Sequence, residues 1–229
     1  MKKTVLTLTL LMAAVVTGSS DADEIPQTPR EQFSYALGFQ IGSQIAQQVM
    51  ADGLDLDPAM LAQAIEDALS GRNPAITADQ MNTAISEAQQ RAQEKSMATA
   101  QAAVTAGAAF RDEYLKRDGV IQTQSGILYR VLTEGTGKQP QASDTVVVHY
   151  RGTLIDGTEF DSSLKRNQPA TFSLGGIIPG WREVLQLMTE GARWEVVIPP
   201  ALAYGSTGAG GAIGPEETLV FEIELLQVK

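Results

Sequence analysis

A strand and the turn that follows it can be read from one stretch of the sequence, VVVHYRGTLIDGTEFDSS, residues 146–163. The even-numbered side chains from Val146 to Tyr150 fall on one face and the odd-numbered ones, His149 among them, on the other, as in a β-strand. Asp156-Gly157 provides the residue types that a tight hairpin turn requires. The stretch therefore predicts a strand from Asp144 to Leu154, paired antiparallel with its neighbours.

The same texture continues on both sides of this stretch. Eight of the thirteen aromatic residues lie beyond Gly119, where β-branched runs also begin. Residues 181–188 have the start and stop signals of one short helix, because Pro179-Gly180 precedes them and Gly191 follows. The other predicted strands are Gly126–Leu132, Trp194–Ile198 and Thr218–Val228. The C-terminal half is therefore predicted to be a mainly antiparallel sheet with one short helix.

The N-terminal half has a composition that favours helices. It has no aromatic residue between Phe39 and Phe110 and is rich in Ala and Gln. The first predicted helix, Arg30–Met50, carries an apolar stripe at i,i+4 spacing and a row of small residues. The stripe is Phe33, Leu37, Ile41, Ile45 and Val49, and the row is Ser34, Gly38, Gly42 and Ala46. Each helical glycine costs about 1 kcal/mol relative to Ala, so either another helix packs closely here or the glycines are tolerated in a marginal helix.

Two further helices are predicted. Asp57-Pro58 begins a short helix that stops at Gly71, and the capping pattern of residues 77–80 begins a longer one that nothing interrupts before Arg117. At ~1.5 Å per residue the long helix spans on the order of 60 Å, and it lacks the bulky heptad positions of a coiled coil. We therefore expect a rigid spacer, with the apolar faces of the first two helices buried against a second copy of the chain.

The first residues have the pattern of a secretory signal peptide. Lys2 and Lys3 precede an apolar run from Val5 to Val16 and a small, polar segment up to Ala22. An N-terminal membrane anchor is the alternative, but the run is shorter than the ~20 residues that span a bilayer. Cleavage after Gly18, Ser20 or Ala22 would leave a secreted chain without an integral membrane span.

Composition excludes several function classes. The 229 residues include 17 Lys and Arg against 27 Asp and Glu, a formal net charge of −10, which argues against a nucleic-acid partner. Cys is absent and His occurs once, which excludes disulfides, thiol catalysis and His-rich metal sites. The glycine-rich residues 205–214 lack the Lys of a phosphate-binding loop. No cofactor or metal is therefore expected.

Five motifs follow one another over residues 119–229 without large gaps. They are Val148–Leu154, Asp156–Ser163, Ile177–Trp181, Pro200–Gly205 and Thr218–Leu226. Together they closely resemble the FKBP-type peptidyl-prolyl cis-trans isomerases. The helical half, which opens with FSYALG at residues 33–38, is similar to the N-terminal dimerisation domain of the Mip-like (macrophage infectivity potentiator) bacterial branch of that family.

The resemblance implies an α+β protein with an all-helical dimerisation arm, a long connecting helix and an FKBP-like antiparallel sheet wrapped around one short helix. The implied domains are a signal peptide at 1–22, a helical dimerisation domain at 23–76, the connecting helix at 77–118 and the isomerase domain at 119–229.

The resemblance also implies a ligand hollow with Trp181 as its floor. The Ile178 backbone N–H and the Tyr204 hydroxyl would hold carbonyls of a bound peptide, and Asp161, Tyr204 and Phe160 would be the catalytic residues. The full implied lining is Tyr150, Phe160, Asp161, Ile177, Ile178, Trp181, Tyr204, Ile213 and Phe221.

Residue types alone leave other interpretations open. Spacing alone favours Asp161 as a turn residue that caps Ser162-Ser163, and aromatic residues such as Trp181 and Phe221 are ordinarily part of a core. Two rim positions, an aromatic residue and a loop histidine in the small cytosolic members, are Ala170 and Ala209 in this chain.

The implied function is acceleration of X-Pro isomerisation in secreted or periplasmic polypeptides, with chaperone activity in the cleft of a homodimer. The alternative is a holdase chaperone or peptide-binding module whose isomerase activity is incidental. The expected partners are proline-containing unfolded or partly folded polypeptides, macrolide inhibitors and a second copy of the chain, joined through the N-terminal helices. The expected location is the periplasm, with attachment to the outer membrane or cell surface as the alternative.

Overall fold

The structure, a computed structural model, describes residues 25–51 and 53–229, so the predicted signal peptide lies outside the described residues. By its internal contacts the chain divides into two units, one that ends at Ile45 and one that begins at Ala46. None of the helices in the described ranges is long and apolar enough to cross a membrane.

The three predicted N-terminal helices are present, as α1 (Pro29–Ala51), α2 (Pro58–Leu69) and α3 (Ala78–Leu115). Their starts follow the sequence signals. The Asp57 carboxylate accepts the N–H groups of Ala59 at 2.9 Å and Met60 at 3.1 Å. Thr77 and Gln80 form the reciprocal capping box, with distances of 3.2 Å and 2.9 Å. Local hydrogen bonds at the N-terminus of each helix therefore decide where α2 and α3 begin.

The glycines of α1 have open surroundings. A Cβ placed at Gly38 or Gly42 would meet nothing within 4 Å among the described residues. The large apolar side chains of α1 are exposed as well, including Phe33, Leu37 and Phe39. Both interpretations of the glycines thus remain, since close packing would require a second copy.

Residues 53–229 contain a seven-stranded antiparallel sheet. Its order is β1-β2-β6-β7-β3-β4, and β5 also pairs with β3. The strands are β1 (Val120–Gln122), β2 (Leu128–Thr133), β3 (Thr145–Leu154), β4 (Glu159–Ser162), β5 (Ala170–Ser173), β6 (Arg193–Ile198) and β7 (Leu219–Val228). The predicted strands match β2, β3, β6 and β7 to within two residues, whereas the three short strands carry too little alternation to predict.

The short helix α4, Pro179–Leu185, packs on one face of the sheet. It begins two residues before the predicted Trp181 and ends three residues before the predicted Met188. Beyond its last residue the Leu187 and Met188 N–H groups share the Val184 carbonyl, at 2.9 and 3.2 Å. Trp181, Val184 and Leu185 are buried against strand residues of the same face, and this is the main core. The predicted α+β architecture is confirmed.

A second, smaller core lies on the opposite face of the sheet. There Tyr114, near the end of α3, packs with Leu128 and Val197, and Phe110 and Val220 border them. The two faces are separated by strand alternation, since Val196 and Ile198 belong to the main core and Val197 to the smaller one. Helix α3 therefore ends as part of the folded sheet unit.

Candidate active site

A cavity of about 300 Å³ opens between α4 and the sheet, and we call it the hollow. Each wall comes from a different element: β3, β4, β5 and β7, the segment before α4, α4 itself, and the loop after β6. Its lining residues are Tyr150, Phe160, Asp161, Phe172, Gly176, Ile177, Ile178, Trp181, Tyr204 and Phe221.

Aromatic rings form the floor of the hollow. The Trp181 ring, whose residue is 4 % exposed, meets Tyr150, Phe172 and Phe221 edge-to-face at centroid distances of 5.1, 5.5 and 5.3 Å. Phe160 meets Phe221 in the same manner at 5.6 Å. Such contacts are favourable because a positive ring edge meets a negative ring face. The floor is therefore closely packed and largely apolar, and it presents ring surface to a bound group.

One ion-paired carboxylate marks the edge of the hollow. Asp161 accepts a hydrogen bond from the Tyr150 hydroxyl and forms an ion pair with Arg166 at 2.5 Å. Arg166 also donates a hydrogen bond to the Tyr150 hydroxyl at 2.9 Å. Burial, the largest single influence, opposes ionisation of Asp161, but the bonds from Tyr150 and Arg166 outweigh it and lower its pKa. Burial and the bond to Asp161 raise the pKa of Tyr150, so its hydroxyl remains a donor.

The structure brings eight of the nine predicted lining residues together in the hollow. Asp161 lies at its edge, and Trp181 and Phe221 are core residues that also face it. The ninth, Ile213, does not line the hollow: it is 7 % exposed in the adjacent core, and its backbone pairs with Ala209. Which of these residues take part in catalysis stays a prediction.

Sequence reasoning missed three residues of the site. Phe172 and Gly176 line the hollow, but the short strand and turn that carry them gave no clear pattern. Arg166 holds Asp161, and its only sequence signal is a cation five positions after the carboxylate.

Ala170 and Ala209 are half-buried beside the core and do not line the hollow. His149 lies on the other face of its strand, as predicted, with Nδ1 3.0 Å from the Ser163 hydroxyl.

The fold and the hollow together define a protein with an aromatic binding site built across an antiparallel sheet. Comparison with known proteins identifies the family to which the chain belongs. Residues 136–226 match the family described as FKBP-type peptidyl-prolyl cis-trans isomerase, and residues 30–131 match the domain amino terminal to it. The chain therefore belongs to the FKBP-type peptidyl-prolyl cis-trans isomerases and is an enzyme of that activity. This confirms the predicted family and the predicted isomerase activity.

Relatives match along most of their length. The FKBP-type 22 kDa peptidyl-prolyl cis-trans isomerase of Escherichia coli (strain K12) is 45 % identical over 202 residues, which cover 88 % of this chain and 96 % of the relative. The outer membrane protein MIP of Legionella longbeachae is 39 % identical over 234 residues, with 100 % and 99 % covered. The crystal structure of FkpA from Escherichia coli superimposes with a TM-score of 0.64 at 36 % identity, covering 89 % of this chain and 98 % of that one.

Proposed function

We propose that the X-Pro bond isomerises in the hollow, with the prolyl ring resting on Trp181. The barrier of ~18–20 kcal/mol arises from lost amide resonance, so the twisted transition state has less charge separation than either planar form. Water stabilises the planar forms more, and dry aromatic surroundings remove that preference. Each ~1.4 kcal/mol of such differential stabilisation gives about a tenfold rate increase. The edge-to-face aromatic floor is the observation that supports this proposal.

Two donors at the hollow are suited to hold the peptide. The Ile178 backbone N–H and the Tyr204 hydroxyl make no hydrogen bond to the residues that the structure describes, and Tyr204 is 40 % exposed. A peptide carbonyl at each position would fix the chain on both sides of the proline. Binding of this kind leaves the X-Pro amide free to rotate over the floor.

Asp161, Phe160 and Tyr204 are the proposed catalytic residues. Because Asp161 is paired with Arg166 and Tyr150, we assign its carboxylate to ordering the edge beside the twisting amide rather than to proton transfer. Phe160 closes that edge with its ring. The same apolar hollow is the proposed binding site for macrolide inhibitors.

The remaining proposals concern the whole chain. Exposed apolar side chains on α1, Phe33 at 70 % and Phe39 at 67 %, favour a homodimer formed through the N-terminal helices. A cleft between paired copies would suit unfolded or partly folded polypeptides, which is the proposed chaperone role. We also propose domain boundaries at residues 22, 76 and 118. The proposed location is the periplasm, with attachment to the outer membrane or cell surface as the alternative, because the relatives include an outer membrane protein.

A prolyl-isomerisation assay on a short X-Pro peptide tests the site. Wild-type protein should accelerate the reaction, Asp161→Leu and Tyr204→Phe should reduce kcat/KM, and Leu187→Ala, an exposed substitution away from the hollow, should not. Equal activity in all four proteins would contradict the site. Suppression of aggregation that survives in the two site variants would show that chaperone activity is separable, as the holdase alternative requires.

A further inference from the structure

Helix α3 makes one close contact with the segment that leads into β7. Gly107 and Arg111, one turn apart on α3, face Thr218, which is 1 % exposed. The Arg111 guanidinium donates a hydrogen bond to the Thr218 hydroxyl. Gly107 is buried, and a Cβ there would overlap the Thr218 hydroxyl and lie 3.2 Å from the Arg111 guanidinium. Only a glycine at position 107 leaves room for this bond.

Thr218 stands at the base of a loop beside the hollow, residues 205–217, which we call the flap. The flap follows Tyr204 directly, and Phe221 comes three residues after Thr218 in β7, so a hollow residue lies on each side of it. Its two ends are joined by the Glu216 N–H to the Gly205 carbonyl at 2.8 Å. Further out, two backbone bonds of 2.9 and 3.0 Å connect positions 209 and 213. The flap is thus a closed loop with its base at Thr218.

The end of α3 is itself held firmly against the sheet. One turn beyond Arg111, the Tyr114 hydroxyl donates to Glu195 of β6 at 2.7 Å, and Arg130 of β2 bonds the same carboxylate at 3.2 Å. Arg111 is half-buried, and burial lowers the pKa of its guanidinium. Leaving this buried donor without its hydrogen bond to Thr218 would therefore be unfavourable. A rigid helix end therefore presents a fixed donor to the base of the flap.

We infer that Arg111 is a positioning residue for the isomerase reaction: through Thr218 it fixes the base of the flap and so holds Tyr204 and Phe221 at the hollow. A flap that is ordered before the peptide arrives loses less conformational freedom on binding. Loss of the Arg111–Thr218 bond should therefore weaken peptide binding more than it slows the bound reaction. The inference uses the hollow proposed above, but its partners lie outside it.

The test is a double-mutant cycle on purified full chains with a proline-containing peptide. Arg111→Met keeps the aliphatic stem, and Thr218→Val keeps the shape without the hydroxyl. Each should raise KM roughly fivefold with kcat within about twofold, and the double variant should be no worse than either one. Arg111→Lys should restore part of the loss. Arg117→Met is the matched control, because Arg117 lies just beyond the end of α3, over the Tyr114 ring, and is not the donor to Thr218.

Amide hydrogen exchange of the flap gives a second readout, because a general loss of stability would not change exchange in the flap alone. Faster exchange confined to residues 205–217 in Arg111→Met and Thr218→Val, but absent in Arg117→Met, is the expected result. If Thr218→Val fails to fold, Thr218→Ser, which keeps the hydroxyl, should retain wild-type KM. Unchanged KM in Arg111→Met, additive losses in the double variant, or equal effects of Arg117→Met would overturn the inference. Absence of activity in wild type would instead contradict the proposed function.

Discussion

At the scale of single residues, the site depends on how Asp161 is held. Its carboxylate is partly exposed and would titrate freely if it stood alone, but Tyr150 and Arg166 both donate to it. Because these bonds stabilise the charged form, the pKa of Asp161 lies below its ordinary value despite burial. The edge of the hollow is therefore charged and ordered at neutral pH.

This state predicts the pH dependence of activity and stability. A carboxyl whose folded-state pKa is lowered stabilises the fold above its unfolded pKa, and that contribution is lost as the pH falls through the folded value. Isomerase activity should be nearly constant from about pH 5 to 8 and decline below about pH 4. Rate and melting temperature measured across this range check the prediction, and Asp161→Asn should lack part of the acid decline. A wild-type midpoint near neutrality would contradict it.

At Gly152 on β3, the rings of two residues of the hollow leave no room for a side chain. A Cβ there would lie 2.6 Å from the Phe160 ring and 2.8 Å from the Phe221 ring. Gly152→Ala should displace both rings, with a cost of about 1–3 kcal/mol in the free energy of unfolding. Its kcat/KM should fall on the order of tenfold. Denaturant unfolding and the peptide assay measure the two effects.

Gly175 is the matched control, since it lies outside the lining of the hollow and a Cβ there would lie 3.9 Å from the Ser173 hydroxyl, an ordinary van der Waals contact. Gly175→Ala should be close to wild type in both measurements. Equal losses in the two alanine variants would show that the crowding at Gly152 is not the cause.

At the scale of elements, the end of α3 belongs to the sheet although composition places a boundary after it. Tyr114 is 1 % exposed and packs on Leu128 and Val197. Burial, together with the hydrogen bond to Glu195, raises the pKa of Tyr114 well above its ordinary value, so the phenol stays protonated and donates. The long helix is thus fixed at this end by both apolar contact and a buried polar bond.

Removal of that polar bond should lower stability measurably. Tyr114→Phe keeps the packing but loses the donor to Glu195, which should cost about 1–2 kcal/mol in the free energy of unfolding. Tyr204→Phe, whose hydroxyl makes no bond to the described residues, should leave the unfolding midpoint unchanged. Denaturant titration of both variants makes the comparison, and equal stabilities would show that the Tyr114–Glu195 bond contributes nothing net.

At the scale of the whole molecule, α1 exposes more apolar surface to solvent than a helix without a packing partner ordinarily does. Phe33, Leu37 and Ile41 are 70, 47 and 45 % exposed, and Tyr35 and Phe39 stack at 6.3 Å on another side of the helix. Surface of this extent generally marks a protein interface. The proposed dimer would bury it and would give Gly38 and Gly42 a close neighbour.

Gly42→Ala separates the two interpretations of the helical glycines. If a second helix packs closely at this row, the added methyl group should weaken the dimer, and sedimentation equilibrium should show a higher dissociation constant. A glycine merely tolerated in α1 predicts the opposite, a helix more stable by about 1 kcal/mol and an unchanged dimer. Gln40→Ala is the control, because helical geometry places Gln40 on the side opposite to Gly38 and Gly42.

Sequence alone determined the helix starts, the strand faces and the family of this protein. Helix starts depend on side chains within four residues of the cap, strand faces on an alternation of period two, and both are local properties. The five motifs predicted the family and eight residues of the hollow, because each motif is a continuous segment. Short strands such as β5 escaped prediction, since four residues offer too little pattern.

Tertiary structure alone decided which distant residues meet. Arg111 and Thr218 are 107 positions apart, and Tyr114 and Glu195 are 81 apart. The sheet order β2-β6-β7-β3 and the docking of α3 bring them together, and neither follows from local periodicity. The same packing places Phe172 in the hollow and Ile213 in the core behind it. Sequence periodicity fixes the face on which a side chain lies, but its neighbours on that face depend on long-range pairing, which minimises the exposed apolar surface of the whole chain.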